Sequence, residues 1–288
     1  MLGSLAGVLF DGLAYGMLLF LLSVGLSVTL GMMNFVNLAH CSFAMVGGYV
    51  SVSLMNRFGW PFLATLPMAF LAAASVSVLL ERGLYRRLYR ASDLDQCLLT
   101  IGIVFVSIAA YAWLYGTEQQ AVEGFPPYLR GSLQFMGINL AAYRLFLVLC
   151  GFLVTAILVA SLEYTRFGAK VRAAVDNQRM ARGLGIDVDR TFMLTFALGG
   201  GLAGLGGSLA IEMVGLDPGF ALAYLVYVLI VVSVGGLGSI GGSFAAAIVL
   251  GISDMAGKYY VPWLGAFLIY LVMVGLLMWR PQGLFGKR

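Results

Sequence analysis

Charged residues cut this chain into apolar blocks of recurring length. Residues 12–56 form a stretch of 45 with no Asp, Glu, Lys or Arg and with His40 as its one imidazole. That is room for two helical crossings of about 20 residues each, with a break between them. Residues 61–80, 97–115, 145–162, 191–211 and 262–279 each have the length of one crossing. Between Asp217 and Asp254 lie 36 uncharged residues, too many for one span and few for two. Gly235-Gly236-Leu237-Gly238-Ser239-Ile240-Gly241-Gly242 interrupts them, which predicts two short or broken helices meeting at a glycine loop. The pattern predicts nine crossings, or eight if this pair is re-entrant.

Composition agrees. Of 288 residues, 61% are hydrophobic and 10% charged, against about 45–50% and 25% in soluble domains. The expectation is an all-α polytopic membrane protein of about eight or nine transmembrane helices, with residues 1–288 as a single transmembrane domain. Disorder, a disulfide-stapled module and a cytosolic enzyme are excluded. The spans use nearly the whole length, so energy for transport has to come from ions or from another subunit. Cys41, Cys97 and Cys150 lie in apolar stretches, with no disulfide framework and no metal spacing. With one His and no carboxylate in mid-span, no catalytic residue or metal site is assigned. Asp11, Glu81, Glu163, Glu212, Asp217 and Asp254 all fall at or near span ends, which argues against ion coupling.

The basic residues set an orientation. Arg82, Arg86, Arg87 and Arg90 share one loop. Arg166, Lys170, Arg172, Arg179, Arg182 and Arg190 share another, and Arg280, Lys287 and Arg288 form the tail. These are 13 of the 17 Lys and Arg; Arg57, Arg130, Arg144 and Lys258 fall in loops of the other parity. The positive-inside bias places the first group in the cytoplasm, with the N-terminus outside and the C-terminus inside. The long outside segment, residues 116–143, carries Glu118, Glu123 and Pro126-Pro127 and is expected to be a connector, with a docking rim as the alternative.

Two polar interruptions mark where a solute could cross. One brings Asn34, Asn37 and His40 into an apolar block; the other is Gly235, Gly236, Gly238 and Gly241 in the glycine run. Unwound backbone at membrane depth is tolerated where it is buried in protein or lines a cavity, and paired interruptions point to a translocation site. For His40, a hydrogen bond to neighbouring backbone stands against a proton relay. Gly199, Gly200, Gly201, Gly204, Gly206 and Gly207 suit close helix packing.

The loop 163–190 predicts an amphipathic helix over 169–182. Arg172, Asp176 and Arg179 would lie on one charged face, and Ala173, Met180, Ala181 and Leu184 on another, with Gly183 and Gly185 ending the helix. Such a helix either lies on anionic headgroups or couples to a cytoplasmic ATPase.

Taken in order, several motifs resemble a LivH-type permease of the branched-chain amino-acid ABC importers over nearly the whole chain. They are Asn37-Leu38-Ala39-His40, Gly48-Tyr49-Val50, Glu81-Arg82-Gly83-Leu84-Tyr85-Arg86 and Thr100-Ile101-Gly102. Then come Thr165-Arg166-Phe167-Gly168, Arg172-Ala173-Ala174, Ala181, Gly185-Ile186 and Gly235-Gly236-Leu237-Gly238-Ser239-Ile240. The resemblance implies ABC importer permease architecture in a bacterial inner membrane. Its implied partners are a second, LivM-like permease, two cytoplasmic ATPases carrying the ATP, and a periplasmic or extracellular solute-binding protein. It implies no nucleic acid and no cofactor in this chain. The sequence departs from the family pattern at Cys41, where Gly is usual, and at Gly241, where Pro is usual. Urea, short amides or small organic acids are therefore alternatives to branched-chain amino acids. A stand-alone channel or facilitator is the alternative of another class.

Overall fold

The computed structural model describes residues 2–33, 35–89, 91–122, 125–135 and 138–286. Asn34, Arg90, Glu123, Lys287 and Arg288 lie outside them.

Two helices form the centre, α1 (Leu2–Met33) and α10 (Val188–Val214), whose apolar windows are 89% and 78% buried. Around them stand α2 (His40–Phe58), α3 (Phe62–Leu80), α7 (Ala142–Glu163), α11 (Phe220–Gly235) and α12 (Ile240–Tyr260). More peripheral are α5 (Asp93–Tyr115), 11% buried over its window, and α13 (Gly265–Trp279). Six described helices are long and apolar enough to cross a membrane, and α11 and α13 contribute shorter apolar segments.

Small residues let these helices meet backbone to backbone. A Cβ on Gly47 would lie 2.0 Å from the carbonyl oxygen of Gly204, so α2 and α10 touch where neither carries a side chain. Ala73 of α3 meets the other side of Gly204. Serines replace glycines where a hydrogen bond is made instead: Ser51 with Ser208 at 2.6 Å, and Ser77 donating to the Phe196 carbonyl at 2.8 Å. The packing role expected of Gly199–Gly207 is what the structure shows.

One end of the bundle is basic. It holds a π-helical turn, Glu81–Tyr85, then α4 (Arg86–Leu88), α8 (Arg166–Asp176) and α9 (Gln178–Gly183). The far end holds α6 (Pro127–Arg130) and an antiparallel ribbon of β1 (Ser132–Phe135) and β2 (Ile138–Ala141), in which Leu133 pairs with Leu140. A plain connector was expected there. The all-α reading otherwise holds, since this ribbon is the one sheet among the described residues.

Helix α1 extends past Asp11, where the charge pattern predicted a boundary. Arg144, at the start of α7, pairs with Asp11 and lets the helix carry it. Three of the four basic residues of the far end are neutralised in this way, Arg130 facing Glu212 at 3.8 Å and Lys258 facing Asp254 at 2.6 Å.

Candidate translocation and coupling sites

The first interruption is a stretch of non-helical chain inside the bundle. Phe35 lies at the basic end against Tyr85, Tyr89 and Phe196, with ring centroids 5.1, 5.8 and 5.6 Å away. Val36 N–H donates to Gln96 Oε1 at 3.0 Å. Five residues after Phe35, the Nε2–H of His40 donates to the Leu22 carbonyl at 3.0 Å. Leu22 lies about 16 Å along α1 from its end at Met33, at 1.5 Å per residue. The segment thus climbs through the interior before α2 begins. Within it Asn37 is 1% exposed, and neither its Oδ1 nor its Nδ2 has a partner. An orphaned buried amide of this kind costs about 1–3 kcal/mol per group.

The second interruption is shorter than the glycine run predicted. The non-helical part is 236–239, because Gly241 and Gly242 lie in the first turn of α12, which Ser239 caps by accepting from Gly242 N–H at 3.0 Å. Gly236 and Gly238 turn the chain at φ +95° and +79°. The second interruption packs on the last turns of α1, just ahead of the first. A Cβ on Gly31 would fall 1.8 Å from Gly238 Cα, and Ser243 Oγ donates to Ser27 Oγ at 2.9 Å. Gly235 and Gly236 are covered by other backbone. The tail returns over them, with Leu284 N–H donating to the Val234 carbonyl at 2.7 Å and Phe285 N–H to that of Gly235 at 3.2 Å. Gly241 faces open space.

The predicted single helix over 169–182 is two helices. Asn177 leaves helical geometry (φ −153°, ψ 98°) and caps α9, its Oδ1 accepting from Met180 N–H at 3.0 Å. Arg172 and Asp176 are on α8 and Arg179 is on α9, so the three do not share one helical face. Arg172 donates to the Leu162 carbonyl at the end of α7. Of the expected apolar face, Ala181 is buried, whereas Met180 and Leu184 are 66% and 79% exposed. Gly185, at φ +80°, ends α9, with Ile186 N–H reaching back to the Ala181 carbonyl at 3.0 Å; Gly183 stays helical.

The loop of α8 and α9 has a core of its own with the start of α10, Ala174, Ala181, Val188 and Phe192, packed on Met33, Tyr89 and Ile186. Asp189 joins it to α4, pairing with Arg86 and, at 3.0 Å, with Arg182. These residues line a recess of about 400 Å³. Tyr89 donates to Glu81 Oε1 at 2.7 Å. Burial, and then that hydrogen bond, pushes its phenol above the ordinary tyrosine range. Rings run from Phe192 to Tyr89 (5.9 Å) and from Tyr89 to Phe35 (5.8 Å), linking the loop to the segment that holds Asn37.

Two features lay beyond the sequence reading. Asp254 is 1% exposed and lies within α12 rather than at its end; its ion pair with Lys258, one turn on, makes that burial tolerable. The other is a polar seam between α2 and α5. Ser42 meets Ser107 at 2.8 Å, Tyr49 stacks on Tyr111 at 4.3 Å and 9°, and Ser53 meets the Tyr115 hydroxyl at 2.6 Å. The spacing of Gln96, Thr100, Ser107, Tyr111 and Tyr115 along one helix face was the signal available for it.

A bundle of apolar helices with a buried, unwound polar segment and a packed basic loop defines a membrane permease. The chain belongs to the family described as branched-chain amino acid transport system / permease component, whose model matches residues 8–277. It is 28% identical to a probable branched-chain amino acid transport permease protein LivH of Methanocaldococcus jannaschii, over 97% of this chain and 92% of the relative. It is 25% identical to the high-affinity permease protein BraD of Pseudomonas aeruginosa, over 97% and 95%. It is 26% identical to the high-affinity permease protein LivM of Escherichia coli, over 93% and 68%. No solved structure matches the chain.

Proposed function

We propose that this chain is one of two permease subunits in an ATP-driven importer of branched-chain or related amino acids. Its partners are a LivM-like permease, two cytoplasmic ATPase subunits that hold the ATP, and an external solute-binding protein. The basic end faces the cytoplasm, the far end faces outward, and the membrane is the inner (plasma) membrane. The chain itself performs no chemistry. It offers a path, through the Asn37 segment, whose access alternates as the ATPases close and open against α8 and α9.

The observation that carries the coupling is the pair Met180 and Leu184, large apolar side chains left in the open on a loop otherwise dressed in arginine. In an assembled importer they would be covered by protein. Arg179 beside them is free of the internal bond that ties Arg172. The test is Arg179→Glu combined with Leu184→Asp in the purified complex. ATPase subunits should be lost, and uptake and solute-stimulated hydrolysis should fall together, while the chain still inserts. Full ATPase retention with normal stimulated hydrolysis would leave a headgroup-binding loop. Uptake that persists without any ATPase would establish a facilitator. Ligand identification on the binding protein separates amino acids from urea, short amides and small organic acids.

A further inference from the structure

We infer that the seam between α2 and α5 is this chain's wall of the solute path, and that the stacked Tyr49, Tyr111 and Tyr115 are its outer gate. This rests on the importer reading above.

Helix α5 is apolar where it faces outward, with Leu98, Phe105, Val106 and Trp113 exposed. Its other face carries Gln96, Thr100, Ser107, Tyr111 and Tyr115 from the basic end to the far end. Opposite them on α2 stand Ser42, Tyr49 and Ser53. Hydroxyl pairs between membrane helices commonly serve as glue, but three observations set this seam apart. The Tyr49 hydroxyl is buried with no partner, and so is the Asn37 amide at the foot of α2. A seam built for adhesion would not leave donors and acceptors unmet at that cost. The seam also opens at the far end into a recess of about 240 Å³, lined by Ser53, Asn56, Arg57, Tyr115 and Gln120. That is below the ~300 Å³ at which pockets for drug-sized ligands begin, the scale of a single small metabolite. Finally, α5 is the least buried of the six long apolar helices, so it can shift without dismantling the core.

The stack closes the seam directly beneath the recess. Tyr49 lies flat on Tyr111 and 4.6 Å from Tyr115, which Ser53 holds by its hydroxyl. On the inner side comes the Ser42–Ser107 pair, about 6 Å further along α5. Aromatic faces and hydroxyls, with Arg57 at the rim and the Asp217 carboxylate within electrostatic reach of Tyr49, fit a small solute of zero net charge that carries both charges and an aliphatic group.

The test uses the assembled importer in vesicles, with Cys41, Cys97 and Cys150 changed to serine. Ser107→Cys is exposed on the far-end side to a membrane-impermeant trimethylammonium thiosulfonate. Labelling should be slow with the stack intact and severalfold faster with Tyr111→Ala, while Val106→Cys on the lipid face stays unchanged. Tyr49→Phe supplies a second measurement that does not disturb the stack. Removing an orphaned hydroxyl should leave thermal stability unchanged or higher. It should also raise the uptake KM about tenfold, the loss of one hydrogen bond to solute. Equal Ser107→Cys labelling with and without Tyr111, or an unchanged KM in Tyr49→Phe, would overturn the gate. Failure of the importer reading looks different: uptake would then be independent of ATP whatever the labelling shows.

Discussion

At the scale of single residues, the glycines of the 235–242 run divide by what surrounds them. Gly238 combines φ +79° with an approach in which a Cβ would fall 2.8 Å from Gly31 Cα. Gly238→Ala is therefore expected to lower the yield of assembled protein, seen by size-exclusion chromatography, before any effect on transport can be read. Gly241→Ala, in open space on the first turn of α12, should leave uptake unchanged and raise stability by about 0.4–1 kcal/mol. His40 has a more defined task. Its Nε2–H is spent on the Leu22 carbonyl, and a Cβ at Gly25 would press its ring at 2.8 Å. His40→Gln, which keeps a donor, should retain uptake with an unaltered pH profile, whereas His40→Leu should lower the melting temperature. Loss of transport in His40→Gln with normal assembly would instead establish a proton-handling role.

At the scale of elements, the charge pattern located the spans closely, because burying a charge in lipid is costly and acids and bases therefore gather at helix ends. Residues 61–80 became Phe62–Leu80 and 191–211 lie inside Val188–Val214. The pattern failed where a charge finds a partner, as Asp11 does in α1 and Asp254 in α12. It also failed at Asn177, whose helix-interior context hid a cap; a short polar side chain competes with the backbone and favours a new start. Asn177→Ala is expected to cost about 1 kcal/mol. Because α9 then loses its fixed angle to α8, stimulated hydrolysis should fall further than ATPase binding does. Of the site, the Asn37 break and the glycine run were legible as polar and flexible residues in apolar surroundings. The tyrosine stack was not, since Tyr49, Tyr111 and Tyr115 each pass as part of an apolar block and come together only through α2–α5 packing.

At the scale of the whole molecule, the two ends differ in how their charges are met. The far end matches Arg130, Arg144 and Lys258 with Glu212, Asp11 and Asp254. At the basic end Asp189 is shared by Arg86 and Arg182, while Arg82, Arg87, Arg166, Lys170, Arg179 and Arg190 add further positive charge around it. Excess basic charge is retained in the cytoplasm during insertion, so the orientation proposed above would put the ring path from Phe192 through Tyr89 to Phe35 on the cytoplasmic side, where the proposed ATPases would dock. Single cysteines decide this directly. Glu118 and Met180 are both exposed, at opposite ends of the bundle. In right-side-out vesicles, Glu118→Cys should react with an impermeant maleimide and Met180→Cys should react only after permeabilisation. Assembly with the ATPases should then protect Met180→Cys and leave Glu118→Cys unaffected. The reverse labelling order would invert the bundle, place the tyrosine stack on the cytoplasmic side and make Met180 and Leu184 unavailable to any ATPase.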